Sequence, residues 1–382
     1  MSDDRAPVAG KSDVTARAAR AIALYLPQFH PVPENDRWWG PGFSEWTNVA
    51  SARPLYRGHR QPRIPADLGF YDLRLPEARA AQAALASGYG IEAFCYWHYW
   101  FAGRRMLDRP FREVLERGEP ELGFCLAWAN QSWTTIWTGD RRTVLIPQTY
   151  PGPEDDERHF YEVLPAFQDP RYLRVDGCPL FVVYRPNELP DAGAFADHWR
   201  RLADKAGLPG LYLVGEQKSG WRAASSGFDA DTLPAIYEVA PGPRLPGRLG
   251  ALVDRLPRRR PNVARYEDLA RRPHPPSRLP HPELPIIVSN WDNTPRSGRR
   301  GLVLEGSTPA LFGESARGAV RAVQDLPAQQ RIVIVKSWNE WAEGNYIEPD
   351  LEHGHGYLEA LADALVPEAA VPASAPEPAF ER

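Results

Sequence analysis

The chain has 382 residues, 43% hydrophobic and 25% charged, with a formal net charge of −4 at neutral pH. That length holds one large or two ordinary domains, and the near balance of charge excludes a chain-wide basic surface for nucleic acid or an anionic membrane. No window reaches the ~18 apolar residues of a membrane span, and the first 26 residues lack the apolar core of a secretion signal, so a cytoplasmic protein is expected.

Residues 1–19 read as a disordered tail. The first strand is expected at AIALYL (21–26), and PEARAAQAALASGY (76–89) repeats Ala and Leu at helical spacing. Strands follow at IEAFCYW (91–97), LGFCLAW (122–128) and PLFVVYR (179–185). A helix opens on an Asp cap in DAGAFADHWRRLADKAGL (191–208) and nears its end at Gly207. Next come LYLVGE (211–216) and a weaker run, DTLPAIYEV (231–239), interrupted by Pro234. LPIIVSNW (284–291), a helix over 309–326 and RIVIVKSW (331–338) complete the series, and residues 366–382, rich in Ala, Pro and Glu, read as a second disordered tail.

Continuous apolar runs, rather than alternating ones, suit parallel strands covered on both faces. Eight of them interleaved with helices predict a single (β/α)8 barrel with insertions over 20–365; a doubly wound open sheet is the alternative. Residues 241–280 depart from the rhythm, with ten Arg and nine Pro against three acids. They read as an irregular solvated insertion, or as a basic lip for a phosphate, a sugar nucleotide or an anionic glycan. The three cysteines, Cys95, Cys125 and Cys178, lie in or beside apolar runs and read as buried free thiols.

In a barrel, chemistry gathers beyond the C-terminal ends of the strands. Eleven of the 13 Trp fall there: 38, 39, 46, 97, 100, 128, 133, 137, 291, 338 and 341. Indole faces and N–H groups around a concave mouth suit a carbohydrate. After the eighth strand, SWNEWAEGNYIEPD sets Glu340 and Glu343 three residues apart between tryptophans. Glycosidic cleavage uses such a carboxyl pair, one to protonate the leaving oxygen and one as base or nucleophile. His98 reads equally as a sugar contact or a satisfied semi-buried ring. His353 and His355 lack the spacing of a zinc site, and there is no Gly-rich phosphate loop or GxSxG elbow, so neither metal nor cofactor is expected.

YLPQFHPVPENDRWWGPGFSEWTNV, GFCYWHYWF, WANQSWT, DPRYLRVDGCPLFVVYRP, WDNTPR and SWNEWAEG together resemble the WbsX-like family, the glycoside hydrolase family 99-like proteins of bacterial polysaccharide gene clusters, over roughly residues 21–365. The resemblance implies a (β/α)8 barrel. Members are often labelled glycosyltransferases, while the distant hydrolases are retaining endo-α-mannosidases and mannanases. It further implies Glu340 as a base toward a sugar 2-OH, through an epoxide-like intermediate, and Glu343 as general acid. A manno-configured sugar such as mannose or rhamnose suits that route. Gln131 stands where Glu is expected, which removes any acid role at that position.

The expected function is therefore cleavage or transfer of an α-glycosidic linkage of a bacterial surface polysaccharide or its precursor. Gln28, His30, Trp39, Glu45, His98, Trp100, Asn130, Trp291, Asp292 and Asn339 are candidates to position the sugar, though Glu45 and Asp292 serve equally as hydrogen-bond anchors. The expected partner is a glycan or lipid-linked oligosaccharide, with other biosynthetic enzymes as further partners. The alternatives are a sugar-nucleotide-dependent transferase, whose donor would need Arg258–Arg260, and a non-catalytic glycan-binding barrel.

Overall fold

Eight strands form one parallel sheet in a computed structural model that describes residues 17–135, 143–217, 220–232 and 260–367. Its strands are β1 (Arg20–Tyr25), β2 (Ile91–Phe101), β3 (Gly123–Trp128), β4 (Cys178–Val183), β5 (Tyr212–Glu216), β6 (Ala230–Thr232), β7 (Glu283–Leu284 and Ile286–Val288) and β8 (Ile332–Lys336). Each pairs with the next in chain order, and β8 returns to β1 with Ala21 opposite Val333 and Ala23 opposite Val335. The architecture is a (β/α)8 barrel. Its strands are buried almost throughout, as continuous apolar runs demand.

Closure depends on one proline. Glu283–Leu284 pairs with β6 and Ile286–Val288 pairs with β8, so β7 changes partner at Pro285. Proline has no N–H to give a ladder, but its carbonyl accepts from Ile334 N at 2.9 Å. The sixth run was expected to reach residue 239; β6 ends at Thr232, and residues 233–259 lie outside the described residues. β2 outruns its expected end by four residues because Tyr99, Trp100 and Phe101 pair with Arg104–Met106 in an antiparallel hairpin.

The helices at Pro76–Gly88, Ala192–Lys205 and Pro309–Val323 stand where expected, and Asp191 caps the second by accepting from Ala194 N at 2.9 Å. Among the described residues between β5 and β6 there is only a short 3-10 turn, Ala223–Ser225. The described part of the Arg/Pro-rich stretch, residues 260–280, is regular only over Asn262–Ala270. Asn262–Arg265 pairs in parallel with Leu302–Glu305, and Tyr266, fully buried, donates to the Val288 carbonyl at 2.5 Å. Arg265 and Arg271 there pair with Glu267 rather than forming a free basic lip. Arg258 and Arg259 lie outside the described residues. Cys95 and Cys125 are buried free thiols side by side on β2 and β3, and Cys178 is half-buried. Among the described residues no helix is long and apolar enough to cross a membrane.

Candidate active site

Three chain segments meet where β1, β7 and β8 end. The turn Trp341–Glu343 follows β8, framed by the antiparallel pairs Asn339 with Tyr346 and Glu340 with Asn345. A short helix, Glu45–Ser51, follows β1, and another, Thr294–Ser297, follows β7. They converge on Arg296. Its Nη1 donates to Glu343 Oε1 at 2.5 Å and its Nη2 to Glu340 Oε2 at 3.2 Å. The same guanidinium reaches Glu45 Oε1 from Nε at 2.8 Å and from Nη2 at 2.5 Å. Glu340 and Glu343 are therefore bridged by the Arg296 guanidinium.

Burial, then the neighbouring Glu343 charge, pushes the Glu340 carboxyl up to about 7 against the pull of Arg296 and Lys336. Burial also raises Glu45, while Arg296 opposes that rise. Among the described residues no group of three or more His, Cys, Asp or Glu is placed to hold a metal ion; here three carboxylates surround a guanidinium instead.

The turn is set from behind. Asp292 N donates to the Glu343 carbonyl at 2.6 Å. The Asp292 carboxylate, fully buried, accepts from His59 Nε2 (2.8 Å), Gln61 Nε2 (2.7 Å) and the Thr294 hydroxyl (2.6 Å). Burial alone would raise its pKa, but these donors and the Arg63 charge hold it below the usual range. Asp292 and Glu45 are thus anchors, the second of the two roles their sequence positions allowed.

Other candidates have partners inside the protein. Asn339 accepts from Leu26 N at 2.7 Å and donates to the Leu26 carbonyl, tying the end of β8 to β1. Asn130 does the same for β3 and β4 through the Arg185 N–H and carbonyl, at 2.7 and 2.9 Å. His98 Nε2 lies 2.8 Å from His159 Nε2; burial holds both imidazoles well below their usual range, so one neutral ring donates to the other. Trp100 stacks on His159 and its N–H reaches Asp155 Oδ2 at 3.0 Å. These two side chains engage the helix Pro153–Gln168.

Gln28 and His30 are buried on the loop after β1. Gln28 passes its carbonyl to Glu45 N (3.2 Å), and its Nε2 has no hydrogen-bond partner among the described residues. Burial pushes His30 down to about 4, so its ring is neutral. Trp39 is half-buried against Phe43.

The tryptophans divide. Trp128, Trp338 and Trp341 are fully buried and pack beneath the mouth, Trp341 stacked on Tyr346 at 3.7 Å. Trp38, Trp97 and Trp133 are half-buried, with Trp133 edge-on to Trp38 and Tyr99. Trp137 lies outside the described residues. The expectation that the whole group lines one concave mouth does not account for Trp128, Trp338 and Trp341, which are packed inside the protein.

Sequence reasoning missed Arg296, Lys336 and Tyr99. Lys336, the last residue of β8, is 9% exposed and sits between the rings of Trp97 and Trp291, at 5.8 and 6.0 Å. Tyr99 lies within the field of Glu340 and Arg296. Arg296 lies in WDNTPR, but the acids it meets come from other segments and leave no mark beside it in the sequence.

A family profile described as "Glycosyltransferase WbsX" matches residues 21–361. The chain belongs to the WbsX glycosyltransferase family. "Uncharacterized protein WxcX" of Xanthomonas campestris pv. campestris is 38% identical over 354 residues, covering 91% of this chain and 50% of the relative. The chain thus spans about half the length of the curated relatives it matches. Among solved structures, a "Glycoside hydrolase-like protein" superposes with a TM-score of 0.60 at 13% identity, over 96% of this chain and 98% of the other. A GH99 endo-alpha-mannosidase from Bacteroides thetaiotaomicron, solved with BIS-TRIS-propane, gives 0.55 at 13% identity over 90% and 95%. At that identity the likeness shows this WbsX member's barrel fold alone.

Proposed function

We propose that this protein breaks or transfers an α-glycosidic linkage of a surface polysaccharide or its precursor, with Glu340 and Glu343 as the reacting carboxyls. The observation that carries this is the pair itself: two carboxyls from one turn at the C-terminal mouth of a barrel, both bound to one guanidinium. A base works best with a pKa near the operating pH, and Glu340 stands at about 7.

On a manno-configured sugar, Glu340 takes the proton of the 2-OH as O2 bonds to the anomeric carbon. The bond to the leaving oxygen breaks, and Glu343 gives that oxygen a proton. Water or an acceptor hydroxyl then opens the three-membered ring and returns its proton to Glu343, while Glu340 returns its own to O2. Two inversions retain configuration. Gln28, His30, Trp39 and Trp291 are the sequence candidates we assign to meet the sugar.

The test is mass spectrometry of glycan products from the purified protein, with and without a sugar-nucleotide panel, beside Glu340→Gln. Shortened glycan without donor, absent in the variant, is the result expected of a glycosidase. Lengthened glycan only with donor makes the protein a sugar-nucleotide transferase, as the family description has it, and removes the epoxide route. Bound but unchanged glycan leaves a binding barrel.

A further inference from the structure

Arg296 reaches the carboxyl pair from a sequence position remote from most of its partners. Its separations are 251 residues to Glu45, 47 to Glu343 and 44 to Glu340. Its side chain is 10% exposed, and Glu45 beside it is fully buried. A lysine offers one compact charge; an arginine offers five N–H donors in a fixed plane, which is what three carboxylates from two directions require.

The four contacts are not alike. Glu45 takes two of them, through Nε and Nη2, on a carboxylate with no access to water. Glu343 takes Nη1, and Glu340 has the longest contact, 3.2 Å. The base of the side chain is fixed too, since Arg296 N donates to Asn293 O at 3.2 Å and the Thr294 N–H and hydroxyl are held by Asp292. Glu45 is thus the anchor of the guanidinium, and the contacts to Glu340 and Glu343 are the ones a substrate would loosen.

We propose that Arg296 is the positioning residue of the reaction: anchored on Glu45, its guanidinium holds the Glu340 and Glu343 carboxyls in one arrangement, and its charge governs which of them carries a proton. This rests on the functional reading above and deepens it. The groups facing Glu340 are Glu343 from its own turn, Arg296 from the helix after β7, Lys336 from the end of β8, Glu45 from the helix after β1 and Tyr99 from β2. Two cations thus face three carboxylates. Removing Arg296 leaves Lys336 alone against Glu340, Glu343 and Glu45, and mutual repulsion then favours a proton on Glu340.

The experiment is a titration of the glutamate carboxyl carbons by NMR in the full chain, with Glu340→Gln to assign the signal, alongside kcat against pH on the glycan that the parent turns over. The variants are Arg296→Gln, Arg296→Lys and the double variant Arg296→Gln/Glu45→Gln, which removes the buried charges together if the single variant does not fold. The Glu340 midpoint is expected to rise by on the order of one pH unit in Arg296→Gln, by less in the double variant, and to return toward the parent in Arg296→Lys. kcat should fall on the order of 10²-fold in both single variants, because lysine restores charge and not the fork. An unmoved midpoint in Arg296→Gln, or in the double variant if only that folds, overturns the proposal, as does parental kcat in Arg296→Lys. No turnover by the parent on any glycan sinks the functional reading instead, and the titration then judges the control of the carboxyl pair by itself.

Discussion

Gly344 fixes where Glu343 stands. Its backbone is left-handed, φ 58° and ψ 24°, which L side chains adopt at a cost of about 1–2 kcal/mol. A Cβ there would also lie 2.8 Å from Asp292 Cβ and 2.9 Å from Asp292 N. Asp292 N is the group that donates to the Glu343 carbonyl, so the turn must move if anything larger than glycine is present. Gly344→Ala is expected to lower kcat by on the order of 10²-fold with a smaller change in KM, and to lower Tm. Gly344→Asn separates the causes, since asparagine tolerates the left-handed region but not the contact. If Gly344→Asn retains parental kcat, the Asp292 contact does not set the turn. At this scale two acids three residues apart are a weak signal alone, and what singled out the glutamate pair was its place after the eighth strand between tryptophans. Arg296 was not legible, because a cation's partners up to 251 residues away leave no local pattern.

At the scale of the element, the segment after β8 is held from below by a buried carboxylate. Glu348 accepts from Trp341 Nε1 at 2.6 Å, Gln82 Nε2 at 2.7 Å and the Tyr71 hydroxyl at 2.9 Å. This explains why tryptophans flank the glutamate pair: Trp341 packs beneath the turn and gives its N–H to Glu348. Sequence alone cannot tell an indole that faces a cleft from one that fills its floor, since both stand in the same loop. Burial pushes Glu348 up to about 7 from an ordinary value of 4.5, despite its donors. The folded protein then holds a proton there that the unfolded chain has lost. The stability tied to this proton is fully present below about 4.5 and is lost as pH rises through about 7. Glu348→Gln removes the titration. The Tm of the parent minus that of Glu348→Gln should therefore shrink between pH 5 and pH 8, an effect of roughly one to a few kcal/mol. A difference independent of pH would show that Glu348 does not titrate in that window.

At the scale of the molecule, the barrel is a ring closed between its first and last strands, and the turn that carries Glu340 and Glu343 hangs from that seam. Trp338 N donates to the Leu24 carbonyl at 2.8 Å, and one residue later Asn339 takes the place of a strand, its amide meeting both the N–H and the carbonyl of Leu26. Most of the eight strands were legible as short apolar runs; β6, only Ala230–Thr232, follows β5 with just a 3-10 turn described between them. Two closures were not legible: the change of partner at Pro285, and a side chain acting as backbone 313 residues from its partner. Standing beside Glu340, Asn339 reads in sequence as a sugar contact. The two roles predict different damage. A seam residue replaced by alanine leaves a buried N–H and carbonyl unpaired, so Asn339→Ala should cost about 1–3 kcal/mol and speed hydrogen exchange at the Leu26 amide. kcat should fall with it, since Glu340 is the next residue and loses its fixed starting point, while KM changes little. A sugar contact would instead raise KM and leave stability and Leu26 exchange at parental values. Unfolding curves, amide exchange and steady-state kinetics on this one variant therefore assign Asn339 either to the barrel or to the substrate.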